Sequence, residues 1–280
     1  MSPVVLITGV TSGIGRATAA YLASKKMQVF GTVPEPVAGL PPHPDGYHIT
    51  TMDVRDDEAV KRAVGAILAK AGHVDVLVNN AGIGWSAPVE ETRSEDARRV
   101  VEVNTLGPLR VIQAVLPSMR QRGRGLIINT SSIGGQIAIP FDGVYSASKF
   151  ALEGLSEALS LELRPFGITV VILEPGDIDT GMTLRESTDR LFDETSPYFR
   201  FLEHAHAAAI ANERAGSSPL LIARKVEEII AERRPALRYV GGTLTERLMI
   251  PVKHLLPARL FEWIVARRYR LDVTDKGTGD

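Results

Sequence analysis

Tyr145 and Lys149 stand four positions apart in GVYSASKFALEG, residues 143–154. On a helix, positions i and i+4 share a face. A phenol and an ammonium there can be surface decoration. If both point into a cleft, their ionisations are coupled. Tyrosine, with an ordinary pKa near 10, is a poor base at neutral pH, and a neighbouring cation favours its phenolate. A shift of about three units corresponds to roughly 4 kcal/mol of differential stabilisation. The stretch by itself leaves both readings open.

A second stretch bears on that choice. TGVTSGIG (8–15) puts Gly9, Gly13 and Gly15 between an apolar run and a helical pattern. Glycines there allow a tight turn and let backbone approach a pyrophosphate. The N-terminus of the following helix adds unpaired N–H groups and a favourable dipole. The spacing is G-x-x-x-G-x-G rather than G-x-G-x-x-G. Glycine turns also occur without ligands, and the position between strand and helix is what favours a nucleotide site. The histidines (43, 48, 73, 204, 206, 254) give one close pair, His204 and His206. Their i, i+2 spacing points to different sides of a helix and is poor for a metal.

These residues need a scaffold, and the chain reads as one. Its 280 residues, 44% hydrophobic and 23% charged, fit one large α/β domain spanning 1–280. A net charge of -1 argues against nucleic acid as a partner, and with no cysteine a disulfide or thiolate-metal framework is excluded. No apolar run is long enough to span a bilayer. MSPVVLITG reads as a first strand rather than a leader, so a cytoplasmic location is the expectation. Residues 3–8, 27–32, 74–79, 125–130 and 168–173 are apolar nearly throughout, as strands covered on both faces are. Helical patterns near 14–25, 56–71, 94–120 and 145–164 alternate with them, which implies a parallel, doubly wound sheet. Residues 47–54 and 237–242 add two more strands. VPEPVAGLPPHPDG (33–46) is a loop, and Ser218 is a plausible N-cap for a helix over 218–234.

TGVTSGIG is followed by NNAG (79–82), Asn104 in VNTLGP, TSS (130–132), YSASK (145–149) and PGDIDT (175–180). In order and spacing, residues 3–180 resemble the short-chain dehydrogenases/reductases, and the branch containing 17β-hydroxysteroid and retinol dehydrogenases in particular. The resemblance implies a seven-stranded Rossmann-type sheet and an oxidoreductase that interconverts an alcohol and its carbonyl with a nicotinamide cofactor. It implies Tyr145 as general acid/base and Lys149 as its tuner and a ligand of the nicotinamide ribose. Ser132 would hydrogen-bond the substrate oxygen, with Ser131 the competing choice, and Asn104 would help hold a water-mediated proton relay. Cofactor contacts would fall to Gly9, Thr11, Ser12, Gly13, Ile14 and Gly15. Asp53 and Val54 would lie by the adenine, Asn80, Ala81 and Gly82 beside the cofactor, and Pro175, Gly176, Ile178 and Thr180 by the nicotinamide. Glu174 and Asp177, flanking that last turn, are read as structural.

The end of the second strand ordinarily announces cofactor choice, and here Val33 and Pro34 give neither an acid for NAD nor an arginine for NADP. Arg16 tilts the balance slightly to NADP over NAD, and Glu35 counts against it. Apolar residues around the reacting groups suit a steroid, retinoid or other lipid-like alcohol or ketone. Residues 181–217 would be a lid contributing Met182, Leu184, Phe192, Tyr198, Phe199 and Phe201, or would simply pack the core. Residues 246–270, with six Lys/Arg against two Glu and interrupted by Pro251 and Pro257, form a basic amphipathic extension within 244–271. That extension suits peripheral membrane contact, a roof over the cleft or a subunit contact. A homodimer or homotetramer is expected by analogy. The alternative function is a non-catalytic nicotinamide-binding redox sensor.

Overall fold

The computed structural model describes residues 2–36, 42–183 and 193–271. Seven parallel strands form one sheet in the order β3-β2-β1-β4-β5-β6-β7. They are β1 Val4–Thr8, β2 Gln28–Val33, β3 His48–Thr51, β4 Val76–Asn79, β5 Gly125–Thr130, β6 Ile168–Pro175 and β7 Arg238–Gly241. Successive side chains of a strand point to opposite faces, and here both faces are buried. Leu6, Phe30, Leu77, Ile127 and Val170 face one core, and Val5, Ile7, Val29, Val78, Ile128 and Val171 face the other.

Helices cover both faces. On the first lie α2 (Asp57–Ala71), α4 (Gly107–Arg122) and α5 (Gly143–Leu163), which contribute Ile67, Val115 and Leu163. On the second, α1 (Gly13–Ser24) brings Leu22, and α7 (Pro219–Ala231) brings Ile222, Val226 and Ile229. Asp56 starts α2 by accepting from Glu58 N and Ala59 N at 2.8 and 3.1 Å, and Gly72 in the left-handed region (φ 80°) ends it. The strand order reverses direction between β1 and β4, and the crevice beyond those strand ends is where an open α/β sheet binds its ligand.

Two expectations need correction. The pattern over 94–120 reads as one helix, but α3 (Ser94–Val101) and α4 are joined by a wide π-type turn over Glu102–Leu106. Pro108 has no N–H to give to the carbonyl of Asn104, so the ordinary ladder cannot run through. The 246–270 stretch folds as two helices, α8 (Leu244–Leu255) and α9 (Ala258–Arg268). Pro257 divides them, whereas Pro251 sits inside α8. Their inner faces put Phe261 and Val265 against Ile137 with Met249, Ile250 and Tyr269, and of these Tyr269 lines the crevice. Outward they leave Leu255 82% and Trp263 51% exposed. Among the described residues no helix is long and apolar enough to cross a membrane.

Candidate active site

The crevice is a cleft of about 620 Å³ over the C-terminal ends of the strands. Its floor is built from the glycine turn after β1. Thr8 Oγ1 accepts from Asn80 N and Ala81 N, both at 2.9 Å, while Asn80 Nδ2 donates to Thr8 O and Gly9 O. NNAG thus clamps the turn from the neighbouring strand. Gly9 has φ 73°, and a Cβ on it would sit 2.7 Å from Ala81 Cα. One on Gly15 would sit 2.1 Å from Gly9 O, so Gly15 lets α1 close on the turn without itself lining the cleft.

Ser12 precedes α1 but caps nothing with its side chain, and the first turn of α1 holds no acid. The amides there, lined by Thr11, Ser12, Gly13 and Ile14, are therefore open to an anion. These residues fit the pyrophosphate of a nicotinamide dinucleotide. Beyond the ends of β2 and β3 the cleft is lined by Thr32, Pro34, Asp53, Val54 and Arg55. Arg55 grips Asp53 at 3.0 Å through Nε and 2.6 Å through Nη2, holding that carboxyl below its usual range. Arg16 instead pairs outward with Asp45 at 3.6 Å and is not part of the cleft lining.

At the other end α5 presents Tyr145 and Lys149 together. Lys149 is 5% exposed, donates from Nζ to Thr130 O at 2.9 Å, and lies 5.8 Å from the centre of the Tyr145 ring. Ser132 lines the same cleft just beyond β5. Its Oγ accepts from Gly134 N at 3.0 Å, which leaves the hydroxyl proton to be donated. Ser131 also borders the cleft, but it is only 3% exposed and lies beside the Glu153 carboxyl. Pro175, Gly176, Ile178 and Thr180 also line the cleft, as do Asn80, Ala81 and Gly82.

Asn104 sits behind the cleft wall, as a buried amide that satisfies backbone groups. It is fully buried in the π-type turn and absent from the cleft lining. Its Nδ2 donates to Ile83 O at 2.8 Å and Ser148 Oγ at 3.0 Å, and its Oδ1 accepts from Ile83 N at 2.9 Å. The amide ties the loop after NNAG to α5, one residue from Lys149.

The residues expected of an apolar lid divide between the cleft and other surroundings. Met182 lines the cleft, but Tyr198, Phe199 and Phe201 do not, and Leu184 and Phe192 lie outside the described residues. The Tyr198 hydroxyl donates to Glu90, and Phe201 is 39% exposed, because α6 (Phe199–Arg214) turns those positions away from the cleft. The wall is made instead by Trp85, Ile139, Asp142, Ala209, Glu213 and Tyr269.

Three carboxylates fix the turns around the cleft, and of these Glu174 fits its reading as structural. Glu213 accepts from Thr180 Oγ1, Met182 N and Thr183 N at 2.7, 2.8 and 3.0 Å. Burial opposes its charge, yet these bonds hold it below its usual range. Glu246 caps α8 together with Thr243 and reaches Asp177 N at 2.5 Å, fixing the turn after Gly176. Glu174 accepts from Arg238 Nε at 3.1 Å and Gln136 Nε2 at 2.5 Å, while its Oε2 is buried without a partner. Burial, with Glu153 close by, pushes it up to about 7. Among the described residues no group of His, Asp and Glu could hold a metal.

A family model described as short chain dehydrogenase matches residues 3–191. The chain is 35% identical over 268 residues to the 3-ketodihydrosphingosine reductase of Bacteroides thetaiotaomicron, covering 96% of this chain and 98% of that one. It is 36% identical over 263 residues to the human 17-beta-hydroxysteroid dehydrogenase type 1, covering 88% and 78%. Among solved structures, a short chain dehydrogenase/reductase from Burkholderia phymatum in complex with NAD superposes with a TM-score of 0.76 at 27% identity, covering 94% and 95%.

Proposed function

The chain belongs to the short-chain dehydrogenase/reductase family, and from that premise we propose that it interconverts a carbonyl and its alcohol on a lipid-like substrate, with Tyr145 moving the proton. It is an oxidoreductase using a nicotinamide cofactor. The observation that carries the rest is the meeting of Ser132, Tyr145 and Lys149 with the glycine turn in one cleft.

A bound nicotinamide dinucleotide supplies or accepts the hydride. The chain's own residues do the remainder. The open amides of α1 would hold the diphosphate, and Thr180 with the Pro175–Gly176 turn would line the nicotinamide end. In the reducing direction Tyr145 Oη gives its proton to the carbonyl oxygen, and Ser132 Oγ donates to the same oxygen as charge builds there. The Lys149 ammonium, buried and anchored on Thr130 O, stabilises the phenolate left behind. The cleft near Tyr145 is walled by Trp85, Ile139 and Met182, which suits an apolar substrate body. The relatives' names pair a keto or hydroxy group with sphingosine and steroid bodies, which supports the lipid-like class. NADP fits slightly better than NAD, since no acid stands at the end of β2 and Arg55 lines the adenosine end.

Tyr145→Phe tests the assignment. Removing a positioned acid/base costs about 10²–10⁴-fold in rate, while fluorescence titration should show NADPH or NADH binding intact. A folded variant that retained full turnover on a panel of keto-lipids and steroids would sink the proposal. We further propose a homodimer or homotetramer through α4 and α5, because Phe150 and Leu161 of α5 are 41% and 67% exposed in the single chain. Light scattering that gave a strict monomer would refute it.

A further inference from the structure

One carboxylate of the cleft has no part in the proposed reaction. Asp142 stands just before the first turn of α5, three residues ahead of Tyr145, and lines the cleft with it. An aspartate at such a position ordinarily accepts a hydrogen bond from an amide of that turn. Asp142 makes no such bond. Its side chain reaches instead to Ser86, whose Oγ donates to Oδ1 at 2.6 Å. The backbone fixes it there: Asp142 N donates to Ile139 O, Ser146 N donates to Asp142 O, and Ala87 N donates to Phe141 O.

The other charged groups of this wall are matched. Asp177 pairs with Arg268 at 2.9 Å, and Glu213 is satisfied by Thr180, Met182 and Thr183. Arg99 lies over the Trp85 ring, 5.7 Å from its centre. Among the described residues Asp142 has the Ser86 hydroxyl and no cation, and burial pushes its carboxyl up to about 6. The Tyr269 phenol, which feels both Asp177 and Asp142, is pushed up as well. The Asp142 carboxylate is half-buried, borders the cleft and has no counter-charge, so it is open to a cationic group on a ligand. Trp85, Ile139, Met182 and Ala209 make the rest of this end apolar.

Resting on the reductase proposal above, we propose that Asp142 selects a substrate bearing a primary ammonium within a few bonds of the reacting carbon, an amino-ketone or amino-alcohol on an apolar chain. Asp142 and Tyr145 line the same cleft three residues apart in the chain, which sets that short reach. Ser86 holds Oδ1, and Oδ2 accepts from the ammonium. In reduction the carbonyl carbon gains the hydride from the dihydronicotinamide and the oxygen gains the Tyr145 proton. The ammonium leaves unchanged.

The test uses two ketones of equal chain length, one with an amine on the neighbouring carbon and one without, reduced with NADPH and with NADH. The wild-type protein should favour the amino-ketone at least about tenfold in kcat/KM, the scale of a charge-assisted hydrogen bond. Asp142→Asn should bring that ratio to within about twofold of one. A merely structural role would lower both rates and leave the ratio alone, so an unchanged ratio in the variant overturns the inference, as does a wild-type ratio near one. Failure to reduce either ketone with either cofactor would overturn the reductase proposal itself. Should the variant not fold, inhibition of the wild-type protein decides: octylamine should compete at least about tenfold better than octanol, and equal inhibition overturns the inference.

Discussion

Glu174 shows how much one buried oxygen can decide. It is 1% exposed, carries a partnerless Oε2, and shares Arg238 with Glu153, whose own Oε2 accepts from that arginine at 2.9 Å. With its carboxyl raised to about 7 in the folded protein against an ordinary 4.5, the folded state holds this proton more tightly than the unfolded one. The resulting stabilisation is fully present below about pH 4.5 and is lost as pH rises to about 7, on the order of 3 kcal/mol. Glu174→Gln, a neutral mimic of the protonated form, should flatten that slope. Urea unfolding of both proteins at steps between pH 4.5 and 8 checks this, and parallel slopes would contradict it. The residue's neighbours give the effect a functional edge: Gln136 follows the Ser132 loop and Pro175 begins the nicotinamide turn, so both loops rest on this carboxyl.

At the scale of elements, the π-type turn is the piece most easily mistaken. Asn104 makes three hydrogen bonds from a fully buried position, and two of them satisfy the backbone of Ile83. Asn104→Ala should leave those groups orphaned and cost about 2–4 kcal/mol of stability, with turnover falling alongside. Turnover lost at unchanged stability would point to the proton relay. The regular elements were legible in the sequence because strands buried on both faces read as apolar runs and glycines mark turns. The residues around Tyr145 were legible through their order along the chain. Asp142, Glu213 and Glu246 were not, since each acts across a long separation: Glu213 reaches Thr180, and Glu246 reaches Asp177. Thr243 and Glu246 do spell a capping pattern, but nothing local says that the glutamate extends past its helix. For Tyr198, Phe199 and Phe201 the sequence left cleft and core both open. Phase along a helix decides whether an apolar residue faces the cleft, and the start of α6 sets that phase.

For the whole molecule, the division of labour follows the sheet. Residues that would hold the cofactor come from the ends of β1 to β6, whereas the substrate wall borrows from α6 and from Tyr269 beyond α9. Substrate preference can therefore vary through those helices while the glycine turn and Lys149 stay put. The parallel sheet carries one more consequence, a kinetic one. Among the described strands no two neighbours form a hairpin: Val5 pairs with Val76, Ile172 with Arg238, and even β2 and β3 pair Phe30 with His48. Every ladder must close a sizeable loop before any of its bonds repays the entropy. Stopped-flow refolding from urea should accordingly be slow, with a folding limb that rolls over at low denaturant, and a single sub-millisecond phase would refute this. Half-assembled sheets with open edges would meet one another first at high protein concentration, so the recovered yield should fall as the chain is refolded more crowded.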